Sequence, residues 1–146
     1  MITIGRSRWA LVPLLRININ EEVGTGKLYF IAVFSPTLYD IAISNSKLLL
    51  LVRATPTGVT TFNINSKTIY KLLRLPVNYS FKELPIASFT PLQRVFKDIY
   101  YLILDKKLMI RQVYLAWINY RLYQIYPIYN NDYFRGLNIL LVGDFY

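Results

Sequence analysis

The stretch Asn20-Glu21-Glu22-Val23-Gly24-Thr25-Gly26-Lys27-Leu28 decides how this chain is read. A loop that grips phosphate needs glycines, so that backbone N–H groups can close on the oxygens. It also needs a lysine for the terminal phosphates and a hydroxyl for a metal ion, in the order G-x-x-x-x-G-K-[ST]. Gly26 and Lys27 stand in place, preceded by Gly24 and Thr25, while Glu21 fills the outer glycine position and Leu28 that of the hydroxyl. A short Gly/Lys turn opening a helix is also a common structural feature, so the flanking sequence has to decide between the two readings.

On its N-terminal side, Leu14 to Ile19 is a short apolar segment, which predicts a strand feeding the loop. On its C-terminal side a helix is expected from Lys27, its first amides facing the loop. Pro36 interrupts that pattern, since an interior proline loses a hydrogen bond and clashes with the preceding turn, so the helix is expected to kink or end near Ser35. Asp40 to Ser46 would then be a connection. Leu48 to Arg53 is the next buried strand and runs into the Pro/Gly turn Ala54-Thr55-Pro56-Thr57-Gly58-Val59.

Farther on, Thr68 is a plausible cap for a short helix carrying Ile69, Tyr70, Leu72 and Leu73. Pro76 to Ser88 reads as a loop, and Thr90-Pro91 as a helix start, a capping hydroxyl followed by proline at the first helical position. That helix should run to about Asp98, followed by a third strand, Tyr100 to Leu104, ending in Asp105. Arg111 to Tyr126 carries Leu115, Ile118, Leu122 and Ile125 at helical spacing and stops at Pro127. Its Trp117 and tyrosines are read as core packing in preference to a stacking platform for bases. After a tyrosine-rich loop, Leu137 to Val142 is a fourth strand ending in Gly143-Asp144. Alternating strands and helices predict an α/β fold, a mostly parallel sheet with helices on both faces.

Composition agrees with that architecture. The 146 residues suit one domain, 54% of them hydrophobic, and the mean hydropathy is +0.31. No uninterrupted apolar stretch approaches the ~18 residues of a membrane span, since Leu28 to Ile43 is broken by Ser35, Pro36, Thr37 and Asp40. Short apolar runs are the mark of parallel strands buried on both faces, and no membrane partner is expected. Arg6 and Arg8 precede no clean apolar core with a cleavage site, so no signal peptide is read, and residues 1–13 are taken as a leader. With no Cys and no His, disulfides, thiolate or histidine zinc sites and Ser-His-Asp or Cys-His chemistry are excluded. The net charge of +9, from 17 Lys+Arg against 8 Asp+Glu, suits a polyanion such as nucleic acid. The scatter of the basic residues from Arg6 to Arg135 fits an ordinary solvated surface equally well.

Functional residues of a parallel sheet belong at the carboxyl ends of its strands. Here those ends are the glycine loop, Thr55-Pro56-Thr57-Gly58, Asp105 and Gly143-Asp144, and four of the six glycines (Gly24, Gly26, Gly58 and Gly143) lie there.

Taken in order, Gly24-Thr25-Gly26-Lys27, Pro56-Thr57-Gly58-Val59 with Phe62-Asn63-Ile64, Thr68-Ile69-Tyr70, Leu102-Ile103-Leu104-Asp105 with Met109, and Leu137 to Tyr146 resemble the PIF-type DNA helicases. These are 5′→3′ helicases with RecA-like folds, also found in helitron-type mobile elements. The resemblance runs from about Leu14 to the end, and its most specific pieces are Pro-Thr-Gly-Val…Phe-Asn-Ile and the terminal Leu-Leu-Val-Gly-Asp-Phe-Tyr. In the family that last motif continues into Gln-Leu-Pro-Pro, whereas this chain stops at Tyr146.

The resemblance implies one partial RecA-like P-loop NTPase domain over 1–146, without the second RecA-like domain of the family. It implies ATP and Mg²⁺ as cofactors and single-stranded DNA as partner. Gly24, Thr25, Gly26 and Lys27 would hold the nucleotide, with Lys27 on its terminal phosphates. Asp105 would anchor Mg²⁺, Asp144 would stand near the γ-phosphate, and Pro56, Thr57 and Gly58 would touch the DNA. Several positions depart from the family pattern. Glu21 sets a carboxylate against phosphate, Leu28 offers the metal no oxygen, and Lys106 replaces the glutamate that activates water. Arg111 stands where a glycine is usual, Tyr70 replaces a histidine and Leu108 a serine. These departures lead to the expectation of a chain with little or no hydrolytic activity.

Overall fold

A computed structural model of the chain describes residues 16–21, 26–44, 50–58, 67–77, 80–127 and 133–144. Among these residues five strands form one sheet: β1 (Arg16–Glu21), β2 (Leu50–Thr55), β3 (Lys67–Thr68), β4 (Ile99–Leu104) and β5 (Asn138–Asp144). Their order is β1-β5-β4-β2-β3, and every pairing is parallel. Each expected strand is therefore present, with β1, β2 and β5 running two residues past their expected ends, and a two-residue fifth strand joins them. β3 is too short for any alternation to announce it, and it exists because Lys67 and Thr68 pair with Ala54 and Thr55.

Register explains how the core divides. Residues paired across parallel strands share a face, and neighbours along a strand alternate between faces. Ile103 and Leu140 thus face one way and Leu102, Leu104 and Ile139 the other. On the first face, Ile31 of helix α1 (Lys27–Ser44) packs with Ile103, Leu140 and Val142, flanked by Ile17, Ile19, Phe30, Phe34, Leu51 and Tyr101. On the second, Ala54, Leu102, Leu104 and Ile139 meet three helices. These are α2 (Ile69–Leu73), through Ile69, Leu72 and Leu73, α3 (Ile86–Phe96), through Leu92 and Phe96, and α4 (Gln112–Ile125), through Ile118, Leu122 and Ile125. Each such aliphatic side chain stabilises the fold by about 1.5–3 kcal/mol when fully buried. No helix among the described residues is long and apolar enough to cross a membrane.

Two prolines behave differently from expectation. Helix α1 does not end near Ser35 but continues through Pro36 to Ser44, so 40–44 is helix rather than connection. Pro36 lies on the exposed side, as does Ala32, whose carbonyl loses its donor there. The surrounding turn is retied by side chains. The Ser35 hydroxyl donates to the Ile31 carbonyl at 2.7 Å and that of Thr37 to the Val33 carbonyl at 2.8 Å. From β2, the Arg53 guanidinium donates to the same Ile31 carbonyl at 3.1 Å and to Ser35 Oγ at 2.5 Å. Serine and threonine hydroxyls bonded four residues back let a helix absorb a local distortion without ending.

Likewise α3 starts at Ile86, with Pro85 in extended conformation before it, and not at Thr90-Pro91. Pro91 is accommodated inside the helix because Ala87, whose carbonyl it leaves without a donor, lies on the exposed side. The Thr90 hydroxyl, instead of capping, donates back to the Ile86 carbonyl at 2.9 Å. The loop expected over Pro76 to Ser88 is accordingly shorter. At α2 the expectation holds: Thr68 caps the helix, its hydroxyl accepting from the Lys71 amide at 3.2 Å.

Candidate nucleotide site

Because every strand runs the same way, their carboxyl ends share one edge. Glu21 pairs with Asp144, which sets the last residues of β1 and β5 side by side. The Asp105 amide donates to the Ala54 carbonyl at 3.0 Å, tying the end of β4 to that of β2. Lys27 opens α1, which follows β1, and Gly26 before it has φ +109°, a conformation that a side chain strains. The Gly26 carbonyl accepts from the Phe30 amide at 2.8 Å, so the glycine is the last residue outside the helix. Gly24 and Thr25 lie outside the described residues. The backbone thus brings Lys27, Asp105 and Asp144 to one edge of the sheet, while Glu21 ends β1.

The turn after β4 is built around Asp105, which is buried. Its Oδ1 accepts the Lys106 amide at 2.8 Å, and Lys106 adopts the left-handed conformation, φ 55° and ψ 48°. A single 3-10 turn, Lys107–Met109, then leads into α4. Magnesium held between a protein and phosphate takes one or two carboxylates from the protein, with waters and phosphate oxygens completing its shell, and Asp105 is a carboxylate at this edge that could serve. Among the described residues no three acidic, histidine or cysteine side chains cluster, so the site offers no fully protein-built metal cage.

Two features of this edge were missed from the sequence. Lys107 runs across Gly143, and its ammonium donates to Asn18 Oδ1 of β1 at 2.5 Å. Burial lowers the Lys107 ammonium below the usual lysine range. The alternation Arg16-Ile17-Asn18-Ile19-Asn20 carried the signal, since it places polar residues along one face of β1. The second is the bond by which the fully buried Thr55, already placed at this edge by the sequence, donates its hydroxyl to the Thr57 carbonyl at 2.6 Å and holds the Pro56–Gly58 turn closed. Pro56 is buried and Gly58 exposed, so the turn offers its tip to solvent. The stretch Phe62-Asn63-Ile64 lies outside the described residues.

A wholly parallel sheet with α1 on one face and α2, α3 and α4 on the other is a doubly wound α/β fold, in which ligands bind at the carboxyl ends of the strands. Solved structures narrow the fold to the RecA-like domain of Pif1 helicases. The chain is similar to unliganded Pif1 from Bacteroides, with TM-score 0.70 and 20% identity over 89% of this chain and 28% of that one. Against Bacteroides Pif1 bound to single-stranded DNA the TM-score is 0.68 at 21% identity, covering 99% of this chain and 32% of that one. Against Pif1 helicase from Candida albicans it is 0.64 at 20% identity, covering 90% and 29%. The chain therefore spans about a third or less of the helicases whose fold it shares. No protein-family model and no curated protein matches it.

Proposed function

We propose that this chain is a Pif1-type, RecA-like domain that binds ATP with Mg²⁺ and single-stranded DNA, descended from 5′→3′ DNA helicases, and that it hydrolyses ATP poorly if at all. What supports the reading is the parallel order of the sheet: β1, β4 and β5 end at one edge, where Asp105 and Asp144 fall along the backbone, with Lys27 opening the helix after β1 and the Pro56–Gly58 turn following β2. Support comes also from the bound states among the structures that share the fold, one Bacteroides Pif1 in complex with ADP-AlF4 and another bound to single-stranded DNA.

In this reading Gly24 to Gly26 present backbone amides to the phosphates and Lys27 neutralises the terminal ones. Asp105 holds Mg²⁺, which when bound withdraws charge from the phosphate oxygens, and Asp144 stands close to the γ-phosphate. DNA crosses the Pro56–Thr57–Gly58 turn. Hydrolysis needs more. Lys106 stands at the position of the water-activating glutamate, and losing a general base costs roughly 10²–10⁴ in rate. That loss leaves binding with little turnover, which favours a nucleotide- and DNA-binding role.

The test is fluorescence anisotropy with labelled single-stranded DNA across a salt series. Binding should weaken linearly in log–log form, with a slope of about −0.7 for each phosphate contacted. Flat anisotropy at low salt would remove DNA from the account.

A further inference from the structure

We infer that Tyr70, Tyr114 and Arg111 form a base-stacking and phosphate contact for single-stranded DNA, continuing the path that begins at Pro56–Gly58. The inference rests on the DNA-binding reading above and adds residues that reading does not use.

Tyr70 is the second residue of α2 and follows Thr68, whose backbone pairs with Thr55 at the end of β2. It therefore stands beside the Pro56–Gly58 turn. Tyr114 lies in the first turn of α4, and its ring meets that of Tyr70 edge to face, centroids 5.6 Å apart and planes at 87°. Both side chains are partly buried, each packing on the edge of the core while keeping part of its surface open to solvent. The contrast is with Phe96 and Tyr126, an edge-to-face pair in the core at 0% and 1% exposure, whose role is packing.

The two surface rings are nevertheless held firmly. Tyr114 donates its hydroxyl to the Val77 carbonyl at 2.9 Å, and Trp117 backs Tyr114 with its ring 5.0 Å away. Arg111 is exposed at the N-cap of α4, one turn before Tyr114, whose amide donates to the Arg111 carbonyl at 2.9 Å. Lys67 and Lys71 are exposed on β3 and α2. Pre-oriented aromatic faces beside cations on a functional sheet edge are what a single strand needs: a π-surface for any base and positive charge for its backbone. A core aromatic would need neither partial exposure nor the neighbouring cations.

The full chain is titrated by anisotropy with a labelled oligothymidylate and with an oligomer of equal length whose central nucleotides lack bases. The intact oligomer should bind on the order of 10- to 100-fold tighter. Tyr114→Ala and Tyr70→Ala should erase that difference. Arg111→Ala should weaken both oligomers alike and reduce the salt slope by about 1. Because a tyrosine truncation can disturb folding, the unaltered chain is also photo-crosslinked to an oligomer carrying 5-iodouracil and the adduct mapped by mass spectrometry. Adducts on Tyr70 or Tyr114 support the platform, and adducts confined to other residues overturn it. Equal affinity for intact and base-free oligomers overturns the platform while leaving DNA binding in place. Absence of binding to either oligomer overturns both.

Discussion

Adding one methyl group at Gly143 should couple the stability of the fold to the geometry of its candidate site. A Cβ built there would stand 2.5 Å from Lys107 Cγ, 3.3 Å from its Cδ and 3.1 Å from its amide nitrogen. The first distance is far inside van der Waals contact, so in Gly143→Ala the lysine side chain must leave and its bond to Asn18 Oδ1 must break. Overpacking of this kind costs about 1–3 kcal/mol, and loss of a single solvent-accessible bond adds about 0.5–1 kcal/mol. The amide contact needs the backbone to give only a few tenths of an ångström. In Lys107→Ala the two clashing carbons are gone, so Gly143→Ala introduced there should cost well under 1 kcal/mol. Urea unfolding of the four chains in the cycle gives the coupling directly, expected at about 1–2 kcal/mol. If the two substitutions add to within about 0.5 kcal/mol, the packing of Lys107 on Gly143 is not as described.

Other perturbations report on different parts of the molecule. Arg121 is fully buried; its guanidinium donates to Gln124 Oε1 and to the carbonyls of Arg74 and Lys82, and lies 4.8 Å from the centre of the Phe81 ring. Arg121→Ala should cost about 2–4 kcal/mol in urea unfolding, and Arg121→Lys should not recover it, because one ammonium cannot span the three acceptors. Lys106 has φ 55°, which is strained for any residue with a Cβ, so Lys106→Gly should raise stability by up to about 1 kcal/mol. Burial raises the Tyr101 phenol above 10.0, and burial followed by the Tyr114 hydroxyl raises that of Tyr70. A phenol raised in the folded state contributes stability that is complete below the unfolded value and lost as pH rises through the folded one. The urea midpoint should therefore decline once pH passes about 10, against an opposite and earlier contribution from the lowered Lys107. Tyr101→Phe should make that decline shallower.

How much of this was legible in the sequence follows from what each signal depends on. Leu102-Ile103-Leu104 and Leu140-Leu141-Val142 are apolar enough to announce strands buried on both faces, and the intervening helical spacing forces a parallel sheet. That alone placed Asp105 and Asp144 at a common edge. Pro36 and Pro91 misled because their cost depends on whether the orphaned carbonyl faces solvent and whether a hydroxyl or Arg53 reties the turn. Those are tertiary facts with no local signature. β3 was invisible for a similar reason, since two residues become a strand only by lying beside Ala54 and Thr55. At the site, the glycines marked the edge, but the path of Lys107 over Gly143 to Asn18 joins residues 89 positions apart and follows only from the register of β1 on β5. Tyr114 and Trp117 were read as packing and do pack against the core, but spacing along one helix cannot show that the Tyr114 ring also meets that of Tyr70 from α2, 5.6 Å away.

The measurement that bears most directly on the account is calorimetric titration of Mg-ATP into this chain and into one carrying Glu21→Gly, Leu28→Ser and Lys106→Glu together. Removing a carboxylate from the phosphate position and restoring the metal hydroxyl should tighten binding by at least about tenfold, roughly 1.4 kcal/mol. Equal affinity in the two chains would contradict a phosphate-binding loop at the carboxyl end of β1.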